Sequence, residues 1–169
     1  MTKTLVLVRH ATAEDMNFRV KDFDRQLVSK GLSEAAIVGK WLSESKIVPD
    51  WYVTSKAPRA SKTAEVVADQ LHFDVSKIVE LQSLYDGGPR SYLSSVNTAP
   101  ETAETLILFG HNPDITFFGE YLSGANIGSM KKCGIVILEF ENQKWEEISS
   151  KTGKFISYTT PKQIREGNE

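Results

Sequence analysis

The sequence predicts an α/β fold: three layers, a mainly parallel central sheet with helices on both faces, and a C-terminal hairpin. Three observations predict it. Strand-like and helix-like segments alternate along the chain. Two runs, 5–8 and 105–109, are almost continuously apolar, the pattern of strands buried on both faces. The length of 169 residues suits one core, enough for a chain to bury roughly two thirds of its unfolded surface without a staple.

The elements follow in order. Leu5-Val6-Leu7-Val8 is the first strand, and residues 9–25 are a polar loop. Leu32, Ala35, Ala36, Gly39 and Leu42 recur at helical spacing, giving an amphipathic helix over about 29–45 that ends before Pro49-Asp50. Trp51-Tyr52-Val53 is a short strand. Pro58 suits the first turn of the next helix, which Ala60, Ala64, Val67, Ala68 and Leu71 carry on one face. Residues 75–81 supply a third strand, Gly87-Gly88-Pro89 a turn, and about 90–97 a short helix. After the apolar strand at 105–109, Asn112-Pro113 reads as an N-cap followed by proline at the first position of a helix ending near 123. Residues 135–140 and 145–148 flank Glu141-Asn142-Gln143 as a hairpin, and the polar end, about 160–169, is expected to fray. No linker or repeat interrupts this order, so residues 1–169 are expected to form a single domain.

Composition narrows the function. Twenty basic residues against 22 acidic ones give a net charge of −2, without the basic excess of a general nucleic-acid binder. The lone Cys133 makes no internal disulfide, and three histidines are a poor supply for a structural zinc site. The apolar N-terminal run is too short for a signal peptide, and no stretch approaches the roughly 20 apolar residues that span a bilayer. The expectation is a cytoplasmic protein that engages neither nucleic acid nor membrane.

Open α/β sheets bind ligands beyond the carboxyl ends of their strands. Arg9-His10 follow the first strand, Thr54-Ser55 with Arg59 the second, Tyr85-Asp86 the third and Gly110-His111-Asn112 the fourth. Two arginines and two histidines thus converge at one edge and describe an anion pocket, since the planar guanidinium matches phosphate oxygens bidentately. Helices opening at Pro58 and Pro113 would add backbone N–H groups. A metal site there is disfavoured, because carboxylate and thiolate ligands are missing and arginine repels a cation. Each histidine could serve as nucleophile, acid–base group or charge partner, and spacing alone does not divide these roles. Singly, these residues are ordinary: His72 has no companion, and Arg59 alone would be a surface arginine.

Leu5-Val6-Leu7-Val8-Arg9-His10-Ala11 resembles the strand-plus-Arg-His motif of the histidine phosphatase superfamily, which also holds the cofactor-dependent phosphoglycerate mutases. Thr54-Ser55-Lys56-Ala57-Pro58-Arg59-Ala60, with Thr63-Ala64, resembles its second motif, and Phe109-Gly110-His111-Asn112-Pro113 its third. Leu27, Ser29 and Gly31 also fit, and the likeness runs in order from about 3 to 140. The short chain and the Gly-His-Asn-Pro form look most like the SixA branch, described as protein phosphohistidine phosphatases.

The resemblance implies a phosphoglycerate mutase-like fold and a phosphatase working through a phosphohistidine intermediate. His10 would be the nucleophile; Arg9, Arg59 and His111 would hold the phosphoryl oxygens, with no metal and no cofactor. The implied substrate is a phosphorylated histidine-containing phosphotransfer protein. A small phosphoester is the alternative substrate, and a non-catalytic phospho-ligand module the alternative class. The chain departs from the family in Ala11, where many members have glycine, and in lacking a clear acid after the third strand. Asp86 is a weak candidate for that acid and Glu80 a poorer one. A weak acid favours phosphohistidine, whose imidazole leaves more easily than an alkoxide. The short interval between the third strand and the next helix also leaves little material for a lid.

Overall fold

In the computed structural model, which describes residues 1–167, six strands form one sheet in the order β3-β2-β4-β1-β5-β6. The strands are β1 (Thr2–Arg9), β2 (Trp51–Ser55), β3 (Val79–Leu81), β4 (Thr105–Gly110), β5 (Ile135–Glu141) and β6 (Lys154–Thr159). β1 to β4 run parallel, while β5 is antiparallel to β1 and to β6. The helices are α1 (Ser29–Glu44), α2 (Pro58–Leu71), α3 (Ser83–Asp86), α4 (Pro89–Asn97), α5 (Asp114–Ser123) and α6 (Pro161–Gly167).

Alternation along the central strands divides the core. Leu5, Leu7, Leu106 and Leu108 pack with Leu84, Tyr92 and Val96 and with Ile115, Phe118 and Leu122, beneath α3, α4 and α5. Val6, Val8, Ile107 and Phe109 face the other way, under Ala35, Val38 and Leu42 of α1 and Ala64, Val67 and Ala68 of α2. β1 therefore leads to a helix on one face, and its neighbour β4 to a helix on the other. That divergence opens a crevice at the carboxyl ends of the two strands. Among the described residues, no helix is long and apolar enough to cross a membrane.

Several local expectations are corrected. The second arm of the hairpin is β6 (Lys154–Thr159), not 145–148. Trp145 instead sits in a 3-10 turn, fully buried, where its Nε1 donates to the Ala103 carbonyl at 2.7 Å and its ring meets Phe140. The apolar Trp145 and Ile148 thus close the core from below, while the outer arm is the more polar segment that a sheet edge tolerates. The third strand is only three residues long, because the Asp74 carboxylate accepts from the Ser76 N–H and turns 75–77 into a 3-10 helix. Leu32 is 39% exposed, and Val38 holds the buried stripe of α1 in its place. α5 starts at Asp114 with Pro113 as its N-cap, so Asn112 does not cap it. Asn112 instead donates to the Met130 carbonyl at 2.9 Å and accepts from Thr116 at 2.5 Å. The tail does not fray over 161–167, since Ile164 of α6 is buried with the α1–α2 layer; residues 168–169 lie outside the described residues.

Gly31 lets the first turn of α1 touch the loop that leaves β1, because a Cβ there would overlap the Thr12 carbonyl oxygen. Gly31→Ala is expected to destabilise the fold by about 1–3 kcal/mol, the usual cost of overpacking, measured by urea denaturation.

Candidate active site

The pairing of β1 with β4 sets the centre of the site. Arg9 lies opposite Gly110, so His10 and His111 leave adjacent strands side by side, with ring centroids 5.2 Å apart. The His10 backbone is fixed on both sides: its N–H donates to Gly110 and its carbonyl accepts from Cys133. The next residue, Ala11, donates its N–H to Thr63 Oγ1 at 3.0 Å, and that hydroxyl donates to the Arg59 carbonyl at 2.6 Å. One threonine of α2 therefore ties the first motif to the second. The methyl of Ala11 is fully buried in this packing.

The four residues singled out in the sequence do meet. His10, Arg59 and His111 are buried, at 6%, 4% and 8% exposure, and Arg9 is half-buried. Arg59 stands in the first turn of α2, with Pro58 at the first helical position as expected.

Hydrogen bonds assign the His10 tautomer. Its Nδ1 lies 2.7 Å from the Ala11 carbonyl oxygen, which can only accept. Nδ1 therefore carries the proton, and in the neutral ring Nε2 keeps its lone pair. His111 Nε2 is 2.9 Å from Ser55 Oγ, which already accepts the Ala57 N–H at 3.1 Å. Among the described hydrogen bonds, the ring nitrogen is the acceptor open to the Ser55 hydroxyl proton. That leaves His111 Nδ1 as the protonated nitrogen. It is buried without a partner, as are Arg9 Nε and Arg59 Nε. Three unpartnered donors in one cluster have the character of an oxyanion seat.

Both rings are held neutral. Burial pushes the His10 pKa down to about 3, with His111, Arg59 and Arg9 adding to the effect against the Ala11 hydrogen bond. Burial likewise takes His111 to about 3, aided by Arg59 and opposed by Asp22.

Asp22 was not singled out from the sequence. It lies in a 3-10 turn of the loop after β1 and reaches across to Arg59. Its carboxylate is 3.1 Å from Arg59 Nη2, while its backbone carbonyl accepts from Arg59 Nη1 at 2.7 Å. The same carboxylate accepts from the Tyr85 hydroxyl at 2.7 Å and pairs with Arg25 at 2.9 Å. Burial alone would raise its pKa, but Tyr85, Arg59 and Arg25 outweigh this and hold it below the ordinary carboxylate range. Tyr85 packs edge-on against His111 at 5.5 Å and against Phe23 at 4.9 Å, and lies under the Arg59 guanidinium. The loop after β1 and α3 therefore meet above the pocket, and the expected lack of covering material is corrected to a small roof. Nothing in the residue type of Asp22 signalled this, because the contact spans 37 positions.

Asp86 turns elsewhere: its exposed carboxylate accepts from Nε2 of Gln82, the N-cap residue of α3. Glu80 is exposed and bonds Ser61. Tyr92 supports the other histidine, since its hydroxyl accepts the His111 N–H at 3.0 Å and donates to the Leu84 carbonyl. Gly110 permits this approach, because a Cβ there would overlap the Tyr92 hydroxyl.

The neutral histidines link the site to stability. The unfolded chain takes protons on both rings below the ordinary 6.5, whereas the folded chain does so only near about 3. Their contribution is whole above about pH 6.5 and is lost as pH falls toward 3, at up to about 1.4 kcal/mol per pH unit for each ring. Urea denaturation between pH 7 and pH 4 is expected to show this slope, and a His10→Gln/His111→Gln variant to flatten it.

The profile of the histidine phosphatase superfamily (branch 1) matches residues 5–87. An uncharacterized chloroplastic protein of Arabidopsis thaliana is 27% identical over 161 residues, covering 90% of this chain and 73% of its own. Among solved structures, a protein from Nakamurella multipartitia, described as a phosphohistidine phosphatase SixA, superposes with a TM-score of 0.78. It is 25% identical, over 95% of this chain and 97% of that one. The protein histidine phosphatase SixA complexed with tungstate gives a TM-score of 0.81 at 20% identity, over 95% and 99% of the two chains. The paired histidines beyond β1 and β4, the two arginines beside them and this sheet order agree with the superfamily profile over residues 5–87 and with the fold of the SixA structures, and support a phosphatase.

Proposed function

We propose that residues 1–169 work as one phosphatase domain, free of metal and cofactor, that removes the phosphoryl group from phosphohistidine on a phosphotransfer protein of the cytoplasm. The observation that carries this reading is the state of His10: a neutral ring with its Nδ1–H fixed on a carbonyl and its Nε2 lone pair free, beside Arg9, Arg59 and His111. Such a ring is a nucleophile at neutral pH without a base to activate it.

The reaction has two displacements. His10 Nε2 attacks phosphorus, the P–N bond to the substrate imidazole breaks, and its electron pair stays on the departing ring, which is already protonated on its other nitrogen and leaves as neutral imidazole. Water then attacks the phosphohistidine, the P–Nε2 bond breaks, and inorganic phosphate leaves. Arg9, Arg59 and the His111 Nδ1–H stabilise the phosphoryl oxygens in both steps. The relative complexed with tungstate binds an oxyanion of similar shape.

The leaving group is chosen by what surrounds it. Asp86 is turned to Gln82, and Asp22, the carboxylate bonded to the cluster, is held ionised by Arg59, Arg25 and Tyr85. An ionised carboxylate gives no proton to an alkoxide, whereas an imidazole departs with little help. This favours phosphohistidine over a small phosphoester.

The decisive measurement compares kcat/KM on a phosphorylated phosphotransfer domain with that on sugar phosphates and nucleotides; a large advantage for the small esters would refute the substrate assignment. His10→Ala is expected to lower phosphate release from p-nitrophenyl phosphate by at least about 10³-fold, and equal rates would remove His10 as nucleophile and restore a binding module. Asp22→Ala removes the carboxylate partner of Arg59 Nη2 while the residue 22 carbonyl still holds Nη1, and is expected to weaken inhibition by vanadate about tenfold, with Asp22→Asn retaining most of it.

A further inference from the structure

Beside the histidine pocket, and sharing Arg9 with it, runs an open groove of about 760 Å³. Its walls carry Lys30 of α1, Lys131 and Lys132 of the segment before β5, and Lys162 and Arg165 of α6. Glu34 and Glu166 are the carboxylates along it, and Glu34 is buried with its Oε1 accepting the Thr12 N–H. Six cations thus face two carboxylates, in a chain whose net charge is −2. Among the described residues, none of the five exposed cations has a carboxylate within ion-pair distance. Unpaired like charges from three separate segments repel one another, and an anionic partner relieves that repulsion.

We propose that this groove is a docking surface for an acidic stretch of the protein that carries the phosphohistidine. The proposal rests on the phosphohistidine reading above and names what flanks the phosphorylated residue. Arg9 fixes the placement, since it lines the groove and leaves its buried Nε unpartnered in the histidine cluster. An acidic segment lying along the lysines therefore delivers its neighbouring phosphoryl group to His10. The exposure of the cations selects a protein surface over a second phosphate on a small ester. A small ligand needs enclosing donors, whereas exposed lysines on three segments give a broad field that steers and orients a macromolecule.

The test uses the full chain and two synthetic peptides with one phosphorylated histidine each, flanked by Asp and Glu in one and by Lys in the other. The acidic peptide is expected to exceed the basic one in kcat/KM by about tenfold at low ionic strength, and to lose that lead near 0.5 M salt. A Lys132→Glu/Lys162→Glu/Arg165→Glu variant is expected to abolish the lead while hydrolysing p-nitrophenyl phosphate at the wild-type rate. Equal turnover of the two peptides, or a preference that survives the variant, overturns the proposal. If the triple variant is inactive on p-nitrophenyl phosphate, Lys162→Gln/Arg165→Gln on the exposed face of α6 takes its place, judged by the same two outcomes. If neither peptide is hydrolysed while p-nitrophenyl phosphate is, the phosphohistidine reading has failed. Docking is then read from fluorescence anisotropy of the unphosphorylated peptides: tighter, salt-sensitive binding of the acidic one supports it, and equal binding overturns it.

Discussion

The parallel register of β1 against β4 is the constraint from which the site follows. With Arg9 opposite Gly110, the residue after each strand is a histidine, and the two rings emerge as neighbours. A shift of one residue would turn every side chain of β1 to the opposite face, burying Arg9 in one apolar layer and exposing a valine row to the wrong helices. The division of β1 between Leu5 and Leu7 on one side and Val6 and Val8 on the other resists that slip. Packing in the core and placement of the histidines are thus one specification, written in the same nine residues.

Electrostatics around the pair follow from burial. A buried guanidinium is costly unless its N–H groups find partners, and an unpaired buried donor costs about 1–3 kcal/mol. Asp22 satisfies two Arg59 donors from a loop that would otherwise have no anchor over the pocket, and Tyr85 shares the same carboxylate. What stays unsatisfied, the Nε atoms of Arg9 and Arg59 and Nδ1 of His111, is concentrated where the chemistry is proposed to occur. Structural demand and proposed function therefore divide the same side chains atom by atom: Nη atoms hold the fold, Nε atoms face the reaction.

The sequence was legible where a local pattern and a strand end coincide. Continuous apolar runs gave β1 and β4, and the general rule about strand ends then pointed to Arg9, His10, Arg59 and His111, which do converge. It was illegible where tertiary contacts decide. Trp145 has the apolar character of a strand residue, yet its buried N–H bonds Ala103, and this draws it into a turn. Asp22 is one acidic residue in a polar loop until Arg59 is brought to it from α2. Asn112-Pro113 has the composition of a cap, but the Asn112 side chain is spent on Met130 and Thr116. Short-range preference loses at each of these places to a partner that spacing along the chain does not reveal.

The position of β1 at the centre of the sheet bears on how the molecule assembles. Both of its neighbours come late: Leu5 pairs with Leu106 on one side and Leu138 on the other. Until β4 is available, this apolar strand has no ladder on either edge, and its second edge stays open until β5 follows; closing such long loops is entropically slow. The nascent chain therefore carries its stickiest segment unprotected for most of its synthesis. The two histidines meet only when the last central strands have docked, so a partly folded chain holds no competent pocket, and oxyanion binding reports completion of the sheet.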